Sequence, residues 1–472
     1  MDFSRARVTT AVSKLPVTVD GAASLRTVLS EAGRAPGVLW TMLRSMVDAW
    51  PDEVYTRTLV ETRLLGQRTA FVVDPTLIRT LLVDEANGLE REAFVTRALA
   101  PALGCGLLTA DGGSWRAQRR TAAPMFRPER VRDFVPAMAA AAQATRSRWL
   151  ARPAGAGAFD VSTEMMRTAL DIILATMTSG EGGLDETRFG AAMEDYLGQT
   201  NWKMAYVMFG APAWLPHPGA RRGAAAAREL RAAAAALIAA RRARGGGGSD
   251  LLGLLLNARD PVTEAPMAEA LLVDNLLTFV AAGHETVALA LTWLFRLLAD
   301  HPAVERRILD EIARVGTDFS GDPGRLDALV YTRQVVMEGM RLYPPAPLIV
   351  RRTSRDIRLG DAVIPAGRSV HVPIYALHRH RLLWDRPDAF DPDRFAPSVH
   401  AARDRYAYLP FGAGPRVCIG MGLALQECLV ILATLLPAFR LSPARPGMPE
   451  ARFRVTLRPH GGMPMVPTRR AG

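Results

Sequence analysis

One cysteine, Cys418, lies in a setting that suits a metal ligand. It belongs to the string Phe411-Gly-Ala-Gly-Pro-Arg-Val-Cys-Ile-Gly420, whose glycines permit positive φ angles and a close approach of the backbone to a bulky flat group. The apolar segment from Ile419 onward predicts a helix, whose amino terminus would stabilise a thiolate. Arg416 could pair with an anionic part of the same group. The string therefore predicts a thiolate-ligated metal, and a buried core cysteine is the weaker interpretation.

A second polar group lies inside a long apolar segment, at Ala282-Gly-His-Glu-Thr286. Residues 266–300 predict a long helix that is interrupted near Gly283, because Thr286 can bond back to a carbonyl and open the helix there. A carboxylate such as Glu285 is costly in apolar surroundings unless a partner or water satisfies it. The pair predicts a groove for a small ligand and a proton path. The alternative is that these residues only reach a surface, and we interpret His284 as structural.

Two shorter patterns are weak when each is taken alone. Glu338 and Arg341 are spaced for an ion pair within one helix. Trp115 and Arg119 place an indole N–H and a guanidinium about one turn apart, which suits an anionic edge. Both patterns are common in ordinary helices, so their weight depends on the other segments.

Together these segments resemble the cytochrome P-450 family. Residues 411–420 match its haem-binding signature, Phe-Gly-x-Gly-x-Arg-x-Cys-x-Gly, at every specified position, and the resemblance spans about residues 70–460. It implies haem b as the cofactor and Cys418 as the iron ligand, a ligation established for this family. It also implies a mainly α (α+β) fold: a helical triangular prism with small β-sheets in a single haem domain, residues 61–472. The role of residues 1–60 stays open.

The resemblance implies a role for each site residue. Glu285 and Thr286 would deliver protons during oxygen activation. Glu338, Arg341 and Arg394 would form a buried structural triad that fixes the Cys418 loop. Arg352, next to Arg351, leaves a one-residue ambiguity in one haem contact. The residues expected to contact the haem or its propionates are Trp115, Arg119, Ala282, Arg351, Phe411, Gly414, Arg416 and Gly420.

The expected substrate pocket is apolar. No fixed charge stands out among its candidate residues, which predicts a hydrophobic substrate. Fatty acids, terpenoids, steroids and aromatic compounds all remain open. The candidates are Phe279, Ala282, Pro347, Leu348, Ile349, the 92–110 region, an apolar loop predicted at 201–218, and Met463-Pro-Met465.

The resemblance implies a monooxygenase that inserts one oxygen atom from O2 into such a substrate. Electrons from NAD(P)H would arrive through a separate ferredoxin or flavodoxin and its reductase. The alternatives are a peroxide-driven peroxygenase and a haem-thiolate sensor or carrier without turnover. We expect a monomer, on which the electron donor would dock at the arginines near Cys418: Arg116, Arg119, Arg120, Arg127, Arg130 and Arg416.

The amino-acid composition limits the class of protein, its location and its partners. Of 472 residues, 49% are apolar and 22% are charged, as in a globular protein with a large core. Three cysteines are too few for a disulfide framework and predict a reducing, cytoplasmic location. No stretch reaches about 18 uninterrupted apolar residues, so we expect a soluble protein without a membrane anchor. The net charge of +11 comes from scattered arginines, which argues against nucleic-acid binding and favours an acidic protein partner.

The remaining elements follow from local patterns. Alanine-rich segments predict helices at 134–150 and 219–244, the second ended by the glycines at 245–248. Alternating apolar residues predict strands at 68–74, at 358–365 with a turn at Gly360-Asp361, and at 369–373.

Overall fold

The computed structural model describes residues 44–470 except 65–66, 154, 180–184, 209–216 and 454. Helices dominate this part of the chain, and small sheets account for most of the remaining regular structure. In order, the α-helices are α1 (Pro75–Arg79), α2 (Ala93–Leu103), α3 (Gly112–Ala122), α4 (Pro128–Asp133), α5 (Val135–Leu150), α6 (Val161–Thr178), α7 (Glu186–Met208), α8 (Ala220–Ala243), α9 (Leu251–Asn257), α10 (Glu269–Asp300), α11 (Pro302–Val315), α12 (Val330–Leu342), α13 (Ile374–Leu377), α14 (Pro397–Ala402) and α15 (Met421–Leu435).

The strands form one five-stranded sheet and three smaller ones. The large sheet has the order β1-β2-β8-β5-β3, with β2 and β8 parallel and its other pairs antiparallel. The smaller sheets are β4-β12-β9, β6-β7 and β10-β11. The strands are β1 (Leu59–Leu64), β2 (Gln67–Val72), β3 (Leu89–Glu90), β4 (Phe159–Asp160), β5 (Ile349–Thr353), β6 (Ile357–Leu359), β7 (Ala362–Ile364), β8 (Ser369–Val372), β9 (Phe439–Pro443), β10 (Ala451–Phe453), β11 (Leu457–Pro459) and β12 (Pro464–Arg469).

Helix α10 is the centre of the larger core. It packs against α6, α8 and the strand β9, and α15 packs against α5 on the same core. By length and composition this helix could span a membrane, but 83% of an apolar 18-residue stretch within it is buried inside the protein. A second core lies between the five-stranded sheet and the β6-β7 hairpin. Core packing explains the apolar composition of α10.

Most of the elements predicted from local patterns are confirmed. The helices predicted at 134–150 and 219–244 correspond to α5 and α8. The strands predicted at 68–74, 358–365 and 369–373 correspond to β2, β6-β7 and β8, and Gly360 turns the hairpin with φ of 61°. The side chain of Asp250 begins α9 by accepting from the Gly253 N–H at 2.8 Å, so a helix resumes soon after the glycine run.

Two predictions about helices are wrong. Helix α10 begins at Glu269 and continues through Gly283 without a break. Gly283 instead allows close packing, because a Cβ added there would lie 3.2 Å from Ile173 Cδ1 of α6. The apolar segment 201–218 is not all loop, since α7 extends to Met208; residues 209–216 of that segment lie outside the described residues.

Candidate active site

The backbone around Cys418 is a tight loop held by its own hydrogen bonds. The Cys418 N–H donates to the Phe411 carbonyl at 2.9 Å, and the Val417 N–H donates to the Gly414 carbonyl at 3.1 Å. Gly412 and Gly414 have φ of 74° and 70°, and a Cβ at Gly414 would collide with a backbone carbonyl oxygen of Leu82. Both glycines are therefore required by the loop, as predicted.

Gly420 lacks the positive φ predicted for it. Its φ is −90°, and a Cβ added there would meet no atom within 4 Å. It is the residue before α15, which starts at Met421 rather than at Ile419. Neither backbone conformation nor contact with the described residues requires a glycine at this position.

The Cys418 thiol is solvent accessible, but the surrounding protein is dense enough for desolvation to raise its pKa. The Gly420 N–H and the charge of Arg119 oppose that rise. Burial is the larger effect, so the pKa of the free Cys418 thiol lies above its ordinary value. A bound metal cation would instead lower the pKa of Cys418, since metal coordination deprotonates a thiol.

Helix α10 presents one accessible face in an otherwise buried segment. Between Leu272 and Leu298, every residue is buried except Ala282, Gly283 and Thr286, which share one side of the helix. Ala282 is exposed, and the Thr286 hydroxyl donates to the Ala282 carbonyl at 2.8 Å. We call this accessible face, Ala282-Gly283-Thr286, the α10 window. The groove predicted from the sequence would lie along it, on a helix that is continuous.

Three arginines gather at a second part of the site. Burial, together with the charge of Arg416, lowers the pKa of Arg91 to about 9 and that of Arg351 to about 10. The carboxylate that opposes all three is Asp111, which pairs with Arg416 and accepts from the Arg91 N–H at 2.7 Å. Three partly buried cations against one carboxylate leave an excess of positive charge, which favours binding of an anion.

The neighbouring arginines 351 and 352 differ in burial. Arg351 is partly buried in this cluster, whereas Arg352 is exposed. Trp115 lies under Arg416, whose guanidinium carbon is 4.2 Å from the ring centroid. Arg119 is partly buried, and the charge of Cys418 opposes a lowering of its pKa by burial. Arg91 was not recognised in the sequence, where it matches no motif.

Arg341 is the centre of the predicted triad. Its five N–H groups make five hydrogen bonds: two to the Glu338 carboxylate at 2.7 and 2.8 Å, and one each to the carbonyls of His378, Pro387 and Ala389 at 2.8, 2.6 and 2.8 Å. Burial raises the pKa of Glu338, and its hydrogen bonds with Arg341 oppose that rise. All donors of this guanidinium are used.

The triad connects to the Cys418 loop through His378, which the sequence analysis missed. His378 accepts from Arg341 through its carbonyl, and its ring Nε2 accepts from the Leu409 N–H at 2.8 Å. Burial holds the pKa of His378 well below its ordinary value, which keeps the ring neutral and able to accept. Arg394, the third predicted member, is farther from Glu338, at 3.5 Å.

Glu285 is buried and makes its contacts with the β10-β11 hairpin. Its Oε1 accepts from the Thr456 hydroxyl and from Arg458 Nε, the latter at 2.8 Å. His284 beside it is buried, and desolvation lowers the pKa of His284 to about 4, in keeping with its structural interpretation. No local pattern in the sequence indicated the two hairpin residues, which are 171 and 173 positions away.

The expected pocket residues divide into two groups. Leu348 and Ile349 are partly accessible, and Ile349 Cδ1 lies 3.6 Å from the place of a Cβ on Gly412, so it borders the cysteine loop. Phe279, by contrast, is buried edge-to-face against Phe126 with centroids 5.4 Å apart. Phe279 lies one helical turn before Ala282 on the same side of α10, and its role in the substrate pocket stays a prediction.

The carboxy-terminal methionines of the expected pocket are both buried. Met463 and Met465 are 1% and 0% exposed, and β12 holds Met465 in a sheet between β4 and β9. Met465 turns inward because β12 pairs with β4 and β9, and Met463, which precedes that strand, packs in the same core. Pro347 is likewise buried.

These features fit a haem. An accessible thiol suits its iron, the arginine cluster suits its two carboxylates, and the α10 window offers a side-chain-poor surface for its face. The fit depends on residues of α3, α10, β5 and the Cys418 loop, which are distant in the sequence.

Comparisons with known proteins agree with this site. The Cytochrome P-450 family model matches residues 53–464. The cyclooctat-9-en-7-ol 5-monooxygenase of Streptomyces melanosporofaciens is 32% identical over 86% of this chain and 87% of its own length. A cytokinin hydroxylase of Arabidopsis thaliana is 32% identical over 83% of this chain and 77% of its own. The crystal structure of the cytochrome P450DA haem domain covers 95% of this chain and 94% of its own, with a TM-score of 0.77 and 25% identity. The chain belongs to the cytochrome P-450 family.

Proposed function

We propose that this haem b monooxygenase hydroxylates a hydrophobic small molecule and that Cys418 would bind the haem iron. The observation that carries the proposal is the α10 window, an accessible patch in a buried helix with a hydroxyl at Thr286. The partly accessible Leu348 and Ile349 supply apolar contacts for a substrate. The monooxygenase and hydroxylase names of the relatives support the reaction class.

Residues of this chain would hold the haem from several sides. Cys418 would bind the iron, and Arg91, Arg119 and Arg351 would neutralise the propionates. The other expected contacts are Trp115, Ala282, Phe411, Gly414, Arg416 and Gly420. When bound, the haem would supply activation of O2 and insertion of one of its oxygen atoms into a C–H bond, the other oxygen leaving as water. The protein orients the substrate, limits the access of water and supplies protons.

Thr286 and Glu285 are proposed to supply those protons. In the structure, the Thr286 hydroxyl donates to the Ala282 carbonyl at 2.8 Å. Rotation about its side-chain bond would let it donate into the α10 window and be reprotonated from the Glu285 side. Glu285 can exchange protons because its carboxylate is an acceptor that a solvent proton can occupy.

Replacing Thr286 by Ala is expected to reduce product formed per electron pair by on the order of tenfold, while NAD(P)H consumption continues. The measurement compares the amount of product formed with the amount of NAD(P)H consumed. Thr292→Ala is a matched control, because the Thr292 hydroxyl donates to Ala288 in the same way at 2.7 Å but is fully buried. Equal coupling in the two variants would contradict the assignment of Thr286.

A separate acidic electron donor, a ferredoxin or flavodoxin, is proposed to dock near Cys418. Arg116 is exposed, and its charge lowers the pKa of Arg416, so it lies near this side. Two of the six arginines predicted to form the docking surface already pair with carboxylates: Arg120 with Asp260 at 2.8 Å and Arg130 with Asp133 at 3.4 Å. The three free thiols are in keeping with a cytoplasmic location.

Raising the ionic strength is expected to slow reduction by such a donor at least several-fold, and Arg116→Gln should weaken this dependence. Stopped-flow absorbance at several salt concentrations measures the rate. Reduction by a small chemical reductant is the control and should not change. A donor rate that is constant from low to high salt would contradict electrostatic docking.

A further inference from the structure

Helix α2 contains a proline, Pro101, in its last turn. Proline has no N–H group to donate, and its ring crowds the carbonyl one turn earlier, so the hydrogen bonds of the helix are weakened there. At the next residue, the Ala102 N–H donates to the hydroxyl of Tyr196 at 3.3 Å. The same hydroxyl lies 3.1 Å from the Ala98 carbonyl oxygen and 2.6 Å from that of Leu99. The Tyr196 hydroxyl is therefore placed between two groups, the Ala102 N–H and the Ala98 carbonyl, that a regular α-helix joins directly.

The last turn of α2 is held by side chains of two other helices. Tyr196 belongs to α7 and is 0% exposed. Its hydroxyl has one hydrogen to donate, and the carbonyls of Ala98 and Leu99 both lie within its reach. Burial raises the pKa of Tyr196, so the hydroxyl keeps that hydrogen near neutral pH. From α8, Arg231 Nη1 donates to the Ala102 carbonyl at 2.9 Å.

The turn that follows α2 lies against α10 beside the α10 window. The Leu107 N–H donates to Asn275 Oδ1 of α10 at 2.9 Å. Gly106 approaches the same helix so closely that a Cβ added there would lie 2.3 Å from the hydroxyl oxygen of Thr278. Thr278 precedes Ala282 by four residues, which is about one helical turn. The end of α2 and its turn, residues 98–107, therefore border the α10 window, and we call this segment the α2 wall.

We propose that Tyr196 is a positioning residue of the substrate pocket, whose hydroxyl compensates for the helix hydrogen bonding weakened by Pro101 and thereby fixes the α2 wall to α7. The proposal deepens the proposed monooxygenase function and rests on it. Without the hydroxyl, buried backbone groups of the wall lose their partner, and the last turn of α2 opens more often. A bulky apolar ligand at the α10 window then leaves faster, whereas a ligand too small to reach the wall is unaffected.

The first test compares Tyr196→Phe with the parent protein, using two probes that bind haem iron through an imidazole nitrogen. Stopped-flow absorbance of the haem-loaded protein measures their dissociation. We expect 4-phenylimidazole to leave on the order of tenfold faster from Tyr196→Phe, because loss of one buried hydrogen-bond partner acts mainly on dissociation. Imidazole, which lacks the apolar ring, should leave at the parent rate. Tyr331→Phe is the matched control, because the buried Tyr331 hydroxyl has no hydrogen-bond partner among the described residues, and both probes should behave as in the parent.

The second test uses neither turnover nor a ligand. Hydrogen–deuterium exchange of the haem-loaded protein should be faster in the α2 wall of Tyr196→Phe and unchanged in α15. Pro101→Ala supplies the missing N–H and removes the ring, so a regular helix no longer needs the hydroxyl. Tyr196→Phe should therefore have a smaller effect on exchange and on 4-phenylimidazole dissociation when it is combined with Pro101→Ala. Additive effects of the two substitutions would overturn the inference.

The remaining outcomes separate this inference from the proposed function. Unchanged exchange in the α2 wall, or equally faster dissociation of both probes, would overturn the role of Tyr196 and leave the monooxygenase proposal standing. If neither probe binds haem iron in the parent protein, both proposals are overturned. If Tyr196→Phe alone does not accumulate, its combination with Pro101→Ala should, and failure of that protein as well would contradict compensation by the hydroxyl.

Discussion

Replacing Arg341 by Met is expected to lower the free energy of unfolding by about 3–5 kcal/mol, because it leaves Glu338 as a buried charge without its partner. Both side chains of this pair are 0% exposed. The change also removes the donors to the carbonyls of His378, Pro387 and Ala389. Arg341→Lys should be destabilising too, since three ammonium donors cannot serve five acceptor contacts. Urea unfolding followed by tryptophan fluorescence measures the change.

Arg307→Met is the matched control. Arg307 makes the same two-point contact with a carboxylate, at 3.0 and 2.9 Å from Asp393, but the two side chains are 52% and 58% exposed. Solvent screening should limit its ion pair to at most about 1 kcal/mol. An Arg341→Met effect no larger than that of Arg307→Met would show that the buried triad does not stabilise the protein.

Loss of Arg341 should also affect the cysteine loop. The His378 carbonyl accepts from Arg341, and the ring of the same residue accepts from Leu409, two residues before Phe411. A shift of His378 therefore changes the start of the loop that ends at Cys418. We expect Arg341→Met to reduce haem content per chain along with stability, whereas Arg307→Met should leave haem content unchanged.

Local patterns were sufficient for elements that are stabilised by their own sequence. Helix α8 is alanine-rich and is followed by four glycines, so both its extent and its end could be predicted. The β6-β7 hairpin turns at Gly360, whose positive φ favours glycine. The Glu338–Arg341 pair lies within one helical turn, so its contact follows from spacing alone.

Predictions failed where tertiary packing determines the outcome. Gly283 is a helix breaker by propensity, but the contact with Ile173 of α6 uses it to bring two helices together. Met465 belongs to an apolar tail in the sequence, and only its pairing between two strands makes it a core residue. Helix α7 continues through residues that have the composition of a loop. A local sequence pattern does not identify the element against which such a segment packs.

In the candidate site, too, local patterns were informative and long-range contacts were not visible in the sequence. The Phe411–Gly420 string and the Ala282–Thr286 string could be found because each is continuous. Arg91 and Arg458 act through neighbours that are remote in sequence, and neither lies in a recognisable pattern. The continuous strings could therefore be found from the sequence, whereas the charged groups that reach the site from remote segments could not.

Replacing Cys418 by Ser is expected to abolish the red-shifted thiolate Soret band of the reduced carbon monoxide complex and to reduce turnover to background. A hydroxyl does not supply the soft anionic ligand that a thiolate gives to iron. Cys428→Ala and Cys105→Ala are the controls, because Cys428 is 3% exposed within α15 and Cys105 is tied by its N–H to Asp274 at 2.8 Å. Both controls should keep the band. A Cys418→Ser protein that kept it, or a control that lost it, would assign the iron ligand to another residue.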